Sequence, residues 1–596
     1  MAKKPRKRRR IVLIIVGLLA LTAIFLHLPV PPPKLQVGPE TTVLLGPLRE
    51  DGTVDYAAAL EAEASRGVTA ENNAAIPLLR VLGPRTIENV TVRARVLKDL
   101  GLTSLPGEGE YFVSLEDWAE RNLPKPKPSS RQRQSGMEEA GADRPLTGDD
   151  LREQVDEAVV APWDPKDRPE LARWLADNNK ALDALAAATR RTHYHLWQLG
   201  GTDESLLLGT MQYSARRQSQ GARALLCRAM GRVRAGQVQA AWQDILAVHR
   251  LARLMAQDPQ LVPQVVSVGM EETAAEGGAA LAATGRLTRQ ETQSMLSDLQ
   301  SLAPLPPIVD VIDRAERFCM LDTMVMVSRG YTFSEIAEAV TKAQKGGIAT
   351  PLDDGRRPRV PHLDLNQMLL VANDWWDRLI CVLCQPTHAE RERAYEAFLR
   401  DLREAKFQSR RPLAGARLAL LKAGGWPCRK ARSRHEATAV TTWMMPPIGR
   451  AVAQQVRAMM RTDLERLAMA LAAWKAEKGD WPGKLEELSP AYMKGIPADR
   501  FTEEPMVYKP QPGGYVLYSK GINMTDDGGL DKRSGSARAD DVAVWAGISP
   551  PKPEPEKTPH WYSQGGVGPA SQAETADREL PAAATAPAES ENGPLP

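Results

Sequence analysis

Near the end of this 596-residue chain, two adjacent aspartates are followed by two glycines, Asp526-Asp527-Gly528-Gly529, in the stretch GGYVLYSKGINMTDDGG (residues 513 to 529). Two more, Asp540 and Asp541, follow in ARADDVAVW. Asp and Gly are favoured in hairpin turns for backbone reasons alone, so composition by itself reads DDGG as a turn. It is not an EF-hand, because the D-x-[DN]-x-[DN]-G spacing is absent. Cys381 and Cys384 form CVLC within NDWWDRLICVLCQPTH. A thioredoxin-like thiol would sit at an exposed helix start after a strand. Here positions i and i+3 share one face of an apolar helix, and a buried pair of small hydrophobes is the expectation. A metal on the two thiols would need two more ligands, and only His388 is near in sequence. His193 and His195, in RRTHYHLW, would point to different sides of a helix and do not make an i, i+4 ligand pair. Trp375-Trp376 and Met444-Met445 read as core. The chain has no P-loop, no G-x-G-x-x-G after a strand and no G-x-S-x-G.

Most of the elements that must position these residues read as helices. Residues 40 to 121 carry apolar residues at helical spacing, and residues 151 to 440 continue the pattern, broken by Gly and Pro at intervals that suit hairpins. In residues 224 to 259, Leu225, Leu226 and Met230 precede a turn at Gly236, after which Ala241, Ile245, Val248 and Leu251 draw a second apolar stripe. The unit resembles one tetratricopeptide-type hairpin, with no copy at a period of about 34 residues. Residues 450 to 479 form the most regular helix, striped by Val456, Met460, Leu464, Leu467, Leu471 and Trp474 and stopped by Gly479. Beyond it, MVYKPQPGGYVLYSKG alternates as a β-hairpin, with Val507, Tyr515, Leu517 and Ser519 on one face and Val516 and Tyr518 on the other. Residues 122 to 150 are Pro, Ser, Gly and charge, a linker; residues 549 to 596 are a Pro/Ala/Glu/Ser tail with little to bury.

The 77 Lys and Arg against 74 Asp and Glu give +3, too balanced for a chain that binds nucleic acid as a whole. The basic excess is local: MAKKPRKRRR, residues 1 to 10, is followed by the uncharged apolar run IVLIIVGLLALTAIFLHL, residues 11 to 28. That run predicts a transmembrane anchor, with the basic segment cytoplasmic and the body on the periplasmic or extracytoplasmic side. A cleaved signal peptide is the competing reading, disfavoured by the long apolar core and the absence of a small-x-small site. Five cysteines do not make a disulfide framework.

The ordered pieces from Arg450 to Trp545 resemble the globular part of the G-type pseudopilins of type II secretion. They run as the long helix, EKGDWPGKLEELSPAYM, IPADRFTEEPMVY, GGYVLYSKGINMTDDGG and ARADDVAVW. The resemblance implies a helix packed on a small antiparallel sheet. It also implies a calcium site in the loop after the last long strand, drawn from Asp526, Asp527, Asp540 and Asp541 with backbone carbonyls. Calcium wants six to eight hard oxygens, and close carboxylates repel unless a cation sits between them. The leader and peptidase site of a pseudopilin are absent from this segment, and its usual Asp-Pro is Asp499-Arg500, so the fold looks borrowed as a module. The layout, including VTAENNAAIPLL, LYSKG and DDGG, is similar to uncharacterised planctomycete envelope protein families, a likeness that supplies no activity.

The fold class expected is therefore mainly α, with an N-terminal transmembrane helix, a helical-hairpin body (151 to 440) and a C-terminal α+β pseudopilin-like domain (446 to 548). The function expected is binding or scaffolding, with the membrane and possible protein partners of the helical body as contacts and calcium as the cofactor. The rival readings are an envelope enzyme with its pocket in the helical middle and a component of a secretion or pilus-like assembly.

Overall fold

Helices Ala215–Arg234 and Val238–Met255 turn about Gly236 and bury their apolar stripes against each other. Arg228 grips both oxygens of Asp244 across the hairpin (Nε to Oδ2 3.0 Å, Nη2 to Oδ1 2.8 Å), and Arg232 adds a third bond to Oδ2 at 2.6 Å. The computed structural model in which these elements are seen describes residues 5–549. It leaves out the segments 125–145, 197–206, 208–214, 339–362 and 532–538, and positions 27, 29, 88–89, 103, 107–108, 330, 333, 411 and 446–447. The middle of the linker and all of the tail after residue 549 thus lie outside the described residues.

Among the described residues the chain is mainly helical, with one three-stranded antiparallel sheet in the order β1-β2-β3. Strands β1 (Val507–Gln511), β2 (Gly514–Ser519) and β3 (Val542–Ala546) pair with Val507 opposite Tyr518 and Leu517 opposite Val544. The apolar residues gather into two cores. One is built on Phe318, Met324, Leu369 and Trp376 and takes in Tyr56 and Val452. The larger runs from Ala74 through the hairpin at Gly236 to Leu299, and continues without a break into Met460, Leu464, Leu471 and the sheet residues Tyr515, Leu517 and Val544.

Helix Gly449–Lys478 joins the sheet to the body. Its stripe predicts one apolar face, yet seven successive residues from Leu467 to Ala473 are all buried, so this stretch has no solvent face. One side packs on the sheet and the other on helices Leu261–Ala283 and Arg289–Ser301. The small residues of its sequence, Ala468, Ala470, Ala472 and Ala473, are what allow neighbours on every side. Gly278 on helix Leu261–Ala283 shows how close the approach is: a Cβ there would lie 1.8 Å from Glu465 Oε1. The larger core therefore draws residues from both sides of the boundary that the resemblance implies.

The N-terminal anchor is corrected by the structure. Helix Pro5–Leu26 begins in the basic residues and ends two residues before the apolar run does. Its apolar part, residues 11 to 26, spans about 24 Å at about 1.5 Å per residue, against a hydrocarbon core of about 30 Å. Among the described residues no helix is long and apolar enough to cross a membrane. The transmembrane helix, the signal-anchor reading and the single-pass, periplasm-facing localisation built on it are therefore not supported. Leu13 to Phe25 are largely exposed, and the helix meets the body at its end, where Trp426 Nε1 donates to the Phe25 carbonyl at 3.1 Å.

Candidate functional site

Strand β2 is buried on both faces, and the second cover is the aspartate loop itself. The chain leaves Ser519, turns at Gly521 and folds residues 522 to 529 back over Val516 and Tyr518. Gly521 has φ +68°, and a Cβ there would lie 2.3 Å from the Asp540 carbonyl oxygen, so the turn and the closing segment are in direct contact. Tyr518 donates its hydroxyl to Asp526 Oδ1 at 2.8 Å, and Trp545 Nε1 donates to the Gly529 carbonyl at 3.2 Å.

The aspartates are linked to one another mostly through main-chain amides. Asp541 Oδ2 accepts from the Gly529 amide at 2.7 Å and the Asp527 amide at 3.1 Å. Asp527 Oδ2 accepts from the Asp540 amide at 3.2 Å and from Asn523 Nδ2 at 3.1 Å. The Asn523 amide donates back to the Asp540 carboxylate at 3.1 Å. Asp541 is fully buried, and among the described residues its Oδ1 has no hydrogen-bond partner. Burial, reinforced by the charges of Asp527 and Asp526, outweighs these amide bonds and pushes the Asp541 carboxyl up to about 7. Burial opposes ionisation of Asp526 too, but the bonds from Tyr518 and the Gly528 amide, with Lys509 and Lys520 nearby, hold it below the usual carboxylate range.

One oxygen of the loop is left open to a hard cation. A buried carboxylate oxygen with no donor, beside two further carboxylates, is what calcium ligation would satisfy. Among the described residues no three His, Cys, Asp or Glu side chains converge as a ready metal cluster. An ion here would thus take most of its oxygens from backbone carbonyls and water, with Asp541, Asp527 and Asp526 as the anionic contributors.

Two other clusters were not visible from motifs. His249, fully buried on helix Val238–Met255, lies with Nδ1 2.9 Å from Glu271 Oε2 and Nε2 3.4 Å from Glu465 Oε1. Arg253 adds bonds to both Glu271 oxygens, and Thr462 donates to Glu271 Oε1 at 3.3 Å. Three helices, two from the body and one from the sheet-bearing end, are thus tied by buried charge. The sign in the sequence is a histidine on the face that carries Ile245, Ala252 and Leu246 into the core. The second cluster is Glu61 and His195, with Nε2 2.7 Å from Oε1, facing Asp258, which burial pushes up to about 6. His193 and His195 lie on a segment outside any helix, with His193 in an isolated bridge to Asn73. Asn73 of VTAENNAAIPLL fixes that segment, accepting from the His195 amide at 3.0 Å and donating to its carbonyl at 2.8 Å. The adjoining cavity of about 10 Å³ has room for about one water. A larger one of about 170 Å³ lies between Ala275, Ala279, Arg461 and Trp545.

The CVLC pair departs from expectation. Both thiols are free and exposed at the C-terminal end of helix Leu365–Leu383, where Trp376, Leu379 and Leu383 take the buried face. The two cysteines do share a face, but it is the outer one. His388 is buried elsewhere, edge-on to Phe501 with ring centroids 5.0 Å apart. Trp375, Trp376 and Met445 are core residues.

No protein-family model, curated protein or solved structure matches the chain.

Proposed function

We propose that the chain acts by binding, as a helical scaffold whose C-terminal α+β module takes a calcium-class cation in the loop of Asp526, Asp527 and Asp541. The observation that supports this is the buried, unpartnered Asp541 Oδ1. Leaving such a group unsatisfied costs about 1–3 kcal/mol or more, and a cation removes that cost. Asp540 contributes by closing the loop on Asn523 and Asp527.

The proposal makes a prediction about pH as well as about ions. In chelator, Asp541 binds its proton up to about pH 7 in the folded chain but only to about 3.8 when unfolded. The folded state holds the extra proton between these values, so stability falls as pH rises from about 4 to about 7, by up to about 1.4 kcal/mol per unit. Calcium should flatten that slope and raise the melting temperature at neutral pH; at 100 times the dissociation constant, binding adds about 2.7 kcal/mol. Asp541→Asn should melt higher than the native chain in chelator at pH 7 and lose the response to calcium. Thermal melts of the full chain with calcium, magnesium and chelator test this. Equal melting in all three would leave DDGG as a turn.

A further inference from the structure

Resting on that reading of the loop, we infer that His388 and Arg457, neither of them in the aspartate cluster, are positioning residues of the cation site. Residue 388 lies outside the α+β module altogether. It opens helix His388–Arg410 of the body, and its Nε2 stands 3.0 Å from the carbonyl oxygen of Ile522. At that distance a carbonyl requires a donor, so the proton is on Nε2, and the buried Nδ1 has no partner among the described residues. Among the described residues this imidazole, 1 % exposed, makes a single hydrogen bond, and spends it on the loop.

The next residue explains why that matters. Asn523 follows Ile522 directly, and it joins the two ends of the site, with its amide on the Asp540 carboxylate and its Nδ2 on Asp527 Oδ2. Holding the Ile522 carbonyl therefore fixes where Asn523 can place Asp527. Arg457 does the same on the other flank. Its Nη1 donates to the Asp540 carbonyl at 3.1 Å, one residue before Asp541. Its Nε is 2.7 Å from Glu272 Oε1 on helix Leu261–Ala283. Glu272 pairs with the guanidinium, which weakens its repulsion of a nearby cation. His388 belongs to the helical body and Arg457 is tied to it through Glu272, and both end on backbone carbonyls of the aspartate loop. The geometry makes the site a joint product of module and body, which a fold borrowed as an independent unit would not need.

Calcium titration calorimetry on the full chain, with hydrogen exchange at the amides of residues 523 to 529, tests the inference. His388→Phe keeps an aromatic ring against Phe501 but removes the donor; it should weaken calcium binding about tenfold and speed exchange in the loop, with cooperative melting retained. His388→Gln restores an N–H at a similar reach and should bind within about threefold of the native chain. Arg457→Gln probes the other flank independently and should also weaken binding. Native affinity in both His388→Phe and Arg457→Gln would overturn the inference. So would His388→Gln binding as weakly as His388→Phe, since that result assigns the effect to ring packing. Absence of both calcium heat and calcium-dependent loop protection in the native chain is a different outcome: it removes the cation reading itself, before either clamp is at issue.

Discussion

Replacing His249 with leucine is expected to cost the protein about 3–5 kcal/mol, the usual effect of removing one partner from a buried ionic cluster. The loss comes less from the missing attraction than from what stays behind. Glu271 is almost completely buried and Glu465 fully so, and Glu465 Oε2 already lacks a partner. The triple replacement His249→Leu, Glu271→Gln, Glu465→Gln should recover much of the loss, because no unpaired charge is then left inside.

The same cluster sets two limbs of the stability profile. Burial opposes protonation of His249, but the charges of Glu271 and Glu465 outweigh it and carry the imidazole up to about 9. A raised value means the folded chain holds the proton more tightly, so this stabilisation is complete below about 6.5 and is lost as pH rises towards 9. Burial likewise opposes ionisation of Glu271, but His249 and Arg253 pull it down to about 2, so its contribution is present above about 4.5 and lost as pH falls towards 2. Glu465 runs the other way: burial raises it, so its ionisation works against folding as pH increases. Urea unfolding of the full chain between pH 5 and 10 reads the alkaline limb. A slope in His249→Leu equal to that of the native chain would show that another group is responsible.

Cutting the chain at residue 446 should have a still larger effect, because it opens the larger core in both pieces. Met460, Leu464, Leu467 and Leu471 are fully buried, and each stabilises by about 1.5–3 kcal/mol on burial. Four such residues alone approach the about 5–15 kcal/mol that is the whole stability of a typical domain. Residues 1 to 446 without the long helix would expose the facing sides of helices Leu261–Ala283 and Arg289–Ser301. Residues 446 to 548 alone would expose the other side of the same helix, with Glu465 and Arg461 stripped of His249 and Glu276. The 446 to 548 fragment should lack a cooperative melt, the 1 to 446 fragment should keep only the transition of its second core, and both should bind a hydrophobic dye, while mixing them should restore the native transition. A sharp melt in the separate 446 to 548 fragment would show that the module closes without the body.

Much of the local structure was legible in the residues because local physics decides it. The apolar steps from Val456 to Trp474 and the stop at Gly479 mark helix Gly449–Lys478 by period and by a cap that accepts positive φ. The alternation from Val507 to Ser519 marks the hairpin β1-β2, and the ordered motifs after it place Asp526, Asp527, Asp540 and Asp541 in one loop. Periodicity, however, reports one face at a time, and it cannot tell that Leu467 to Ala473 are enclosed on every side, because that depends on which neighbours arrive. The same limit hid the orientation of Cys381 and Cys384: a shared face is a matter of spacing, but which face turns inward is settled by the partners of Trp376 and Leu383. The length of the apolar N-terminal run was countable, whereas the point at Leu26 where its helix ends was not. His249, Glu271 and Glu465 are separated by 22 and 194 residues, and His388 by 134 from the carbonyl it holds. Such pairings leave no mark in local composition, because a hydrogen bond depends on distance in space, and only the folded chain brings these groups within about 3 Å of each other.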